Sequence, residues 1–170
     1  LGSVKNNELI LNDYKNKQIP LLIISEYRRN INDLHLKKQI ELFSYIKNFA
    51  KKNKLKPFIA LAANRDDKKK MLSSELDFFK KHLGEFEWSY ENNFISASKS
   101  NLIICLTSNM GIELLSRGFK TIFFNLIGDE DTLQINPYLN KNSPDYFFKK
   151  LSPEEIDKRI DYYFKLSIDD

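Results

Sequence analysis

The sequence predicts a doubly wound α/β domain, in which helices cover both faces of a parallel sheet. Four short apolar runs are typical of strands buried on both faces, and segments with helical apolar spacing separate them. Strands that alternate with helices pair in parallel through right-handed crossovers. The 170 residues suffice for one hydrophobic core, and thirteen Phe and eight Tyr supply aromatic side chains for it.

The first half of the chain predicts two strands, each followed by a helix. Residues 1–18 are polar and predict a leader or an interdomain connector. The apolar run Pro20–Ile24 predicts the first strand, and apolar residues at helical spacing over 36–50 predict the first helix. Pro57–Ala62 predicts the second strand, and a second helix over 72–83 ends at Gly84.

The second half continues the alternation to a fifth strand and a closing helix. The predicted elements are a short strand Phe86–Tyr90, a short helix Phe94–Ser98, a strand Leu102–Leu106, a helix Gly111–Arg117 and a strand Thr121–Phe124. Ser152 before Pro153 is a favourable helix start. We therefore expect a nucleotide-binding α/β domain over 19–150. A C-terminal helix within 151–170 packs on this domain or on a partner domain.

Composition excludes several classes of protein. The net charge of +4 is dispersed apart from two lysine clusters, Lys51–Lys54 and Lys68–Lys70. The first cluster closes a predicted helix, where lysine complements the helix dipole, so we expect no nucleic-acid partner. Cys105 stands alone, and His35 and His82 lack metal-ligand spacing, so we expect no metal.

Targeting signals are not evident in the sequence. No apolar run approaches the ~20 residues that span a bilayer, and the first residues lack the build of a secretion signal. A cytoplasmic protein is the expectation.

Three loops are candidates for ligand binding. In an open parallel sheet, ligands bind beyond the carboxyl ends of the strands, where the strand order reverses. Ser25–Asn30, Ala63–Arg65 and Thr107–Gly111 follow the first, second and fourth strands.

The loop Thr107-Ser108-Asn109-Met110-Gly111 leads directly into a predicted helix. Its small polar side chains are suited to capping that helix. Gly111 lets a ligand approach the backbone, and free amides at a helix start bind phosphate. Simple capping and phosphate binding both fit the spacing.

Glu113 lies one or two residues into the first turn of the predicted helix. A carboxylate there interacts favourably with the helix dipole, so a structural role is sufficient to explain it. If Ile112 and Leu115 face the sheet, Glu113 points toward the strand ends and can accept hydrogen bonds from ribose hydroxyls.

A stretch of the second half resembles a known family. Ser98–Phe124 contains a strand, the turn Thr107-Ser108-Asn109-Met110-Gly111, then Glu113, a small helix, Arg117-Gly118-Phe119-Lys120 and a further strand. This order resembles the signature of GT-B-fold glycosyltransferases, nearest to bacterial surface-carbohydrate proteins of O-antigen and capsule biosynthesis. The strand around Leu22–Arg28 and the tail after Ser143 resemble the C-terminal domain of that group, although only Ser98–Phe124 is specific.

The resemblance implies a Rossmann-like half of a GT-B fold that binds the nucleotide of a sugar donor. Ser108, Asn109, Met110 and Gly111 would hold phosphate, with Thr107 in the same turn, and Glu113 would hold ribose. The nucleotide sugar is the substrate, and no cofactor or metal is implied. Three arginines in the other two loops are suited to offsetting phosphate charge: Arg28, Arg29 and Arg65. Solvent-facing arginines are the alternative.

The resemblance also implies a missing N-terminal domain that binds the acceptor and supplies the general base. Peripheral membrane association of the full protein is left open. Met110 departs from the family, in which a small residue usually precedes the glycine. No catalytic base or nucleophile is evident, so we expect the segment alone to be inactive.

Two other functions fit the sequence. A GT-B-like sugar-nucleotide epimerase or hydrolase would need a histidine or a carboxylate pair opposite Glu113. A non-catalytic α/β binding module would have its crevice blocked by Met110 and Tyr27.

Overall fold

Strands and helices alternate along the chain, as the sequence predicts. The computed structural model describes residues 17–27, 33–64, 66–106, 108–125, 147–149 and 152–166. The strands are β1 (Ile19–Ile24), β2 (Phe58–Ala60), β3 (Glu87–Trp88), β4 (Ser100–Cys105), β5 (Thr121–Asn125) and β6 (Phe147–Lys149). The α-helices are α1 (Asp33–Lys52), α2 (Leu72–His82), α3 (Asn93–Ser98), α4 (Asn109–Ser116) and α5 (Pro153–Lys165).

The described strands form one parallel sheet in the order β3-β2-β1-β4-β5-β6. The register places Ile23 beside Ile59 on one side and beside Ile104 on the other. The strand order runs outward in both directions from the β1–β4 pair, which is the order of a doubly wound, Rossmann-like domain. The predicted fold class is therefore confirmed.

Apolar side chains on the two faces of the sheet form two core clusters. One face packs against α1, α2 and α5 through Phe43, Phe79 and Ile160 among others. The other face packs against α3 and α4 through a smaller cluster that includes Ala97 and Leu114. Because both faces are covered, successive residues of β1 and β4 are almost all buried, which explains their continuous apolar sequences.

Local sequence signals account for several element ends. Gly84 follows the C-terminus of α2 with φ +96°, in the left-handed region that favours glycine. Ser152 and Glu155 form a reciprocal capping box at the start of α5, and Pro153 occupies its first turn. Hydrogen bonds from the cap lower the pKa of the Glu155 carboxyl.

Several predicted boundaries are wrong. α4 begins at Asn109, two residues before the predicted start, because Ser108 is the N-cap. β2 ends at Ala60, and Ala62–Asn64 forms a 3-10 turn, followed by another at Asp66–Met71. The sixth strand, Phe147–Lys149, was not predicted. Residues 1–16 of the predicted leader lie outside the described residues.

Helix α5 packs on this domain. Ile156 and Ile160 are buried in the larger core cluster, and Phe164 contacts Phe49 of α1 at 5.3 Å between ring centroids. At the amino edge of the sheet, Asn101 donates to the carbonyl of Phe164 at 3.0 Å. Within the described residues, no helix combines the length and apolar character needed to cross a bilayer.

Candidate functional site

The strand order reverses between β1 and β4, which are neighbours in the sheet. Their carboxyl ends lead into Ser25–Tyr27 and into Leu106–Ser108. Chains that leave this point cross to opposite faces of the sheet, α1 toward one core cluster and α4 toward the other. Doubly wound domains bind ligands in the crevice that this divergence opens.

The turn after β1 is held by a buried carboxylate on α2. The Ser25 hydroxyl donates to Glu75 Oε1, and the Tyr27 N–H donates to Ser25 Oγ at 3.2 Å. Glu75 is completely buried. Its two oxygens also accept the backbone N–H groups of Ala62 and Ala63, each at 2.8 Å. Glu75 therefore ties together the loops that follow β1 and β2.

Glu26 bridges the two strands at the reversal point. Its Oε1 accepts the backbone N–H of Leu106 at 3.1 Å, across a separation of 80 residues. The Glu26 side chain is half-buried. Sequence reasoning placed Glu26 in a candidate loop but gave it no role. Its position two residues after β1 was the available signal, but its partner could not be read from the sequence.

Ser108 caps the start of α4 and uses two of its amides. The Met110 N–H donates to Ser108 Oγ at 3.2 Å, and the Gly111 N–H donates to Ser108 O at 3.0 Å. The expectation that the amides at the start of this helix are free is therefore wrong for Met110 and Gly111. Within the described part of the chain, the Asn109 N–H has no acceptor, and the Asn109 side chain is exposed.

Gly111 serves close packing of α4 on the sheet. A Cβ at this position would clash with Cys105 Sγ and lie 3.0 Å from Phe123 Cε1. Gly111 is buried between the helix and strands β4 and β5. The expected approach of a ligand to its Cα is therefore wrong, since protein atoms occupy that space. A similar demand for close helix–strand contact explains one glycine of dinucleotide-binding turns.

Glu113 forms an ion pair within its own helix. Glu113 Oε1 lies 2.8 Å from Arg117 Nη2, and the two side chains are 16% and 25% exposed. The Arg117 guanidinium also stacks over Phe94 of α3, 5.4 Å from the ring centroid. Because α4 starts at Asn109, Glu113 lies beyond the first turn, which corrects its expected place. A ribose contact remains a prediction, and it would share this carboxylate with Arg117.

The other predicted site residues divide into described and undescribed groups. Met110 packs against the smaller core cluster, whereas Tyr27 lies 5.3 Å from the Phe78 ring on the opposite layer. These two side chains therefore do not meet in the crevice. Four predicted contacts lie outside the described residues: Arg28, Arg29, Arg65 and Thr107.

Cys105 senses the charge at the reversal point. Burial raises the pKa of its thiol, and the nearby Glu26 carboxylate raises it further. The thiol is therefore an inert core group at neutral pH. Its response shows that negative charge, rather than positive charge, dominates the described side chains at this corner.

A second polar cluster joins the ends of β2 and β3. Asn64 Nδ2 donates to Ser89 O at 2.9 Å, to Glu91 O at 3.2 Å and to Asn93 Oδ1 at 3.0 Å. Asn93 in turn donates to Leu61 O at 2.9 Å. These bonds fix the loop before α3, and sequence reasoning did not identify them.

Comparisons of the chain with family models, with curated proteins and with solved structures find no match. Among the described residues, no three His, Cys, Asp or Glu side chains are grouped to hold a metal ion. His82 lies at the end of α2, at the amino edge of the sheet, where burial and Lys81 lower its pKa. The candidate site therefore consists of the β1–β4 crevice with Glu26, Ser108 and Asn109.

Proposed function

We propose that this chain is the donor-nucleotide-binding domain of a glycosyltransferase of bacterial surface-polysaccharide biosynthesis. The observation that carries the proposal is the reversal of strand order between β1 and β4, with α4 starting beside it. This is where doubly wound domains bind nucleotides. The resemblance of Ser98–Phe124 to GT-B-fold transferases adds the sugar donor and the type of reaction. A cytoplasmic location belongs to the same proposal.

Phosphate binding in this proposal depends on few groups. Asn109 offers the first amide of α4, at the positive end of the helix dipole. Arg28, Arg29 and Arg65 are the proposed cationic partners, since arginine binds phosphate with two parallel hydrogen bonds. Their charge would stabilise the phosphate that leaves when the sugar is transferred, without covalent chemistry and without a metal.

The rest of the transferase is proposed to come from a second domain. That domain would bind the acceptor and supply the general base. Among the described residues, the epimerase alternative gains no support, since the one histidine whose side chain is described, His82, lies at the opposite edge of the sheet from the crevice. The binding-module alternative is not favoured either, because Met110 and Tyr27 pack in different layers.

Thermal unfolding with UDP, CMP, GDP and inorganic phosphate tests the proposal. A ligand that binds only the folded state at a hundred times its Kd stabilises that state by about 2.7 kcal/mol. We expect one nucleotide to raise the unfolding temperature more than phosphate does. No shift with any nucleotide at millimolar concentration would show that the proposal is wrong.

A pair of variants separates ribose binding from structure. Glu113→Ala removes both the proposed ribose contact and the ion pair, and we expect it to lose most of the nucleotide shift. Arg117→Met breaks the same ion pair, for which Glu113 Oε1 lies 2.8 Å from Arg117 Nη2, but leaves the carboxylate in place. We expect Arg117→Met to retain the shift. Equal losses in both variants would assign Glu113 a structural role only.

A further inference from the structure

We propose that Glu26 selects the hydroxyl-bearing ribose of a nucleotide at the β1–β4 crevice and keeps phosphate out of that corner. This inference rests on the proposed function and assigns a specificity role to a residue outside the family resemblance. It places the phosphates nearer to Asn109 and the arginine loops than to the ends of β1 and β4.

The location of Glu26 carries the first step. Its carboxylate spans the reversal point, since Glu26 follows β1 and its Oε1 lies 3.1 Å from the Leu106 nitrogen after β4. Leu106 in turn lies two residues before the N-cap of α4. A ligand that enters the crevice therefore meets this carboxylate before it reaches the sheet.

The turn that carries Glu26 is fixed on both sides. Ser25 donates its hydroxyl to buried Glu75 and its backbone N–H to Ala60 O at 3.0 Å. The Tyr27 N–H is tied to Ser25 Oγ, and the Tyr27 ring packs on Phe78. Because the flanking residues are held, Glu26 is preorganised and needs little ordering when a ligand binds.

The charge of the corner carries the second step. The amides of Met110 and Gly111 already donate to Ser108, so they do not offset the Glu26 charge through a ligand. The buried Cys105 thiol responds to a negative Glu26. A carboxylate repels a phosphate at close range, whereas it accepts strong, charge-assisted hydrogen bonds from hydroxyl groups.

The chemistry of Glu26 thus differs from that of Glu113. Glu113 shares its carboxylate with Arg117, at 2.8 Å and on the same helix. The described partner of Glu26 is a neutral backbone amide, which leaves its negative charge uncompensated by that bond. A carboxylate has about four acceptor positions, so one amide does not saturate it.

Glu26→Gln tests the inference, because glutamine keeps an acceptor oxygen for the Leu106 N–H and removes the charge. Calorimetric titration compares two probes: inorganic pyrophosphate, and the nucleoside of whichever nucleotide stabilises the wild-type chain most. We expect the variant to bind the nucleoside about tenfold more weakly, the loss typical of one charge-assisted hydrogen bond. We expect it to bind pyrophosphate several-fold more tightly, because the repulsion is gone.

Two further variants make the result specific. Glu26→Asp keeps the charge but shortens the side chain, so nucleoside binding weakens while pyrophosphate binding stays unchanged. Glu87→Gln removes an exposed carboxylate at the start of β3 and changes neither affinity. Circular dichroism and unfolding temperature confirm that each variant is folded.

The outcomes separate the inference from the proposed function. If the wild-type chain binds no nucleotide, both are wrong. If the wild-type chain binds a nucleotide but Glu26→Gln weakens both probes equally, or leaves the pyrophosphate affinity unchanged, only the role of Glu26 is overturned. Opposite changes in the two affinities support it.

Discussion

The carboxyl edge and the amino edge of the sheet present opposite backbone groups to their surroundings. In a parallel α/β domain every helix starts at the carboxyl edge and ends at the amino edge. The first N–H groups of a helix and its last C=O groups lack partners within the helix. The carboxyl edge therefore has N–H groups to satisfy, and the amino edge has carbonyl groups.

Side-chain acceptors serve the carboxyl edge. Asn92, Ser108 and Ser152 accept N–H groups at the starts of α3, α4 and α5. Glu75 accepts two backbone amides of the 3-10 turn after β2, and Glu26 accepts the Leu106 amide.

Donors and cations serve the amino edge. Asn101 and Lys120 donate to the carbonyls of Phe164 and Leu166 at the end of α5, at 3.0 and 2.8 Å. Burial lowers the pKa of Lys120. Lysines occupy the last turns of α1, α2 and α5, where cations complement the helix dipole.

The difference shows why a helix start is not automatically an anion site. At the start of α4 the protein has already satisfied two amides through Ser108, and it has placed Glu26 beside the same turn. Phosphate binding here depends on the groups that these contacts leave over. Three substitutions test the contrast between the two edges.

The largest effect is expected from Glu75→Gln. Glu75 accepts three hydrogen bonds from Ser25, Ala62 and Ala63, and glutamine replaces one acceptor oxygen by a donor. At least one buried donor loses its partner, so we expect unfolding to become easier by about 3 kcal/mol. Urea unfolding measures this loss. Glu87→Gln, on an exposed side chain, is the control, and equal stabilities of the two variants would contradict the role of Glu75.

An intermediate effect is expected from Asn101→Asp at the amino edge. The substitution replaces the donor to Phe164 O by a carboxylate that faces the negative end of α5. We expect a loss of about 1–2 kcal/mol. The same substitution at the carboxyl edge, Asn92→Asp, keeps the acceptor for the Phe94 N–H and meets a positive helix end. We expect it to leave stability unchanged or slightly higher. Equal effects at the two edges would break the comparison.

The smallest effect is expected from Gly111→Ala. Overpacking against Cys105 and Phe123 costs about 1–3 kcal/mol, and alanine regains up to about 1 kcal/mol of helix propensity. We therefore expect a net loss of about 1 kcal/mol in thermal or urea unfolding.

In a Cys105→Ala background we expect this loss to shrink, since the closest obstructing atom is absent. The double variant also shows whether Gly111 matters for binding beyond packing. A double variant that is stable but has lost nucleotide binding would return Gly111 to the ligand site.

The fold was predictable because long apolar runs and helical spacing report burial directly. β1 and β4 were placed within one or two residues. β6 was missed because three residues, Phe147–Lys149, carry too little pattern to separate a strand from other core. Ser108 and Asn109 are both good N-caps, so the start of α4 required the backbone itself.

The site was less predictable because its contacts join distant segments. The Glu26–Leu106 bond spans 80 residues, and the Ser25–Glu75 bond spans 50. The atoms that exclude a side chain from Gly111 come from β4 and β5. None of these partners follows from local spacing, whereas the loops that contain them follow from the alternation of strands and helices.

The bond between Glu26 and Leu106 provides a built-in reporter of the crevice. The Leu106 N–H is held by a carboxylate side chain, so its hydrogen-exchange rate and chemical shift depend on where that side chain rests. A molecule that draws the Glu26 carboxylate toward itself alters this single amide signal. Occupancy of the reversal point is thus visible in a nitrogen-15 spectrum, without a label on the ligand.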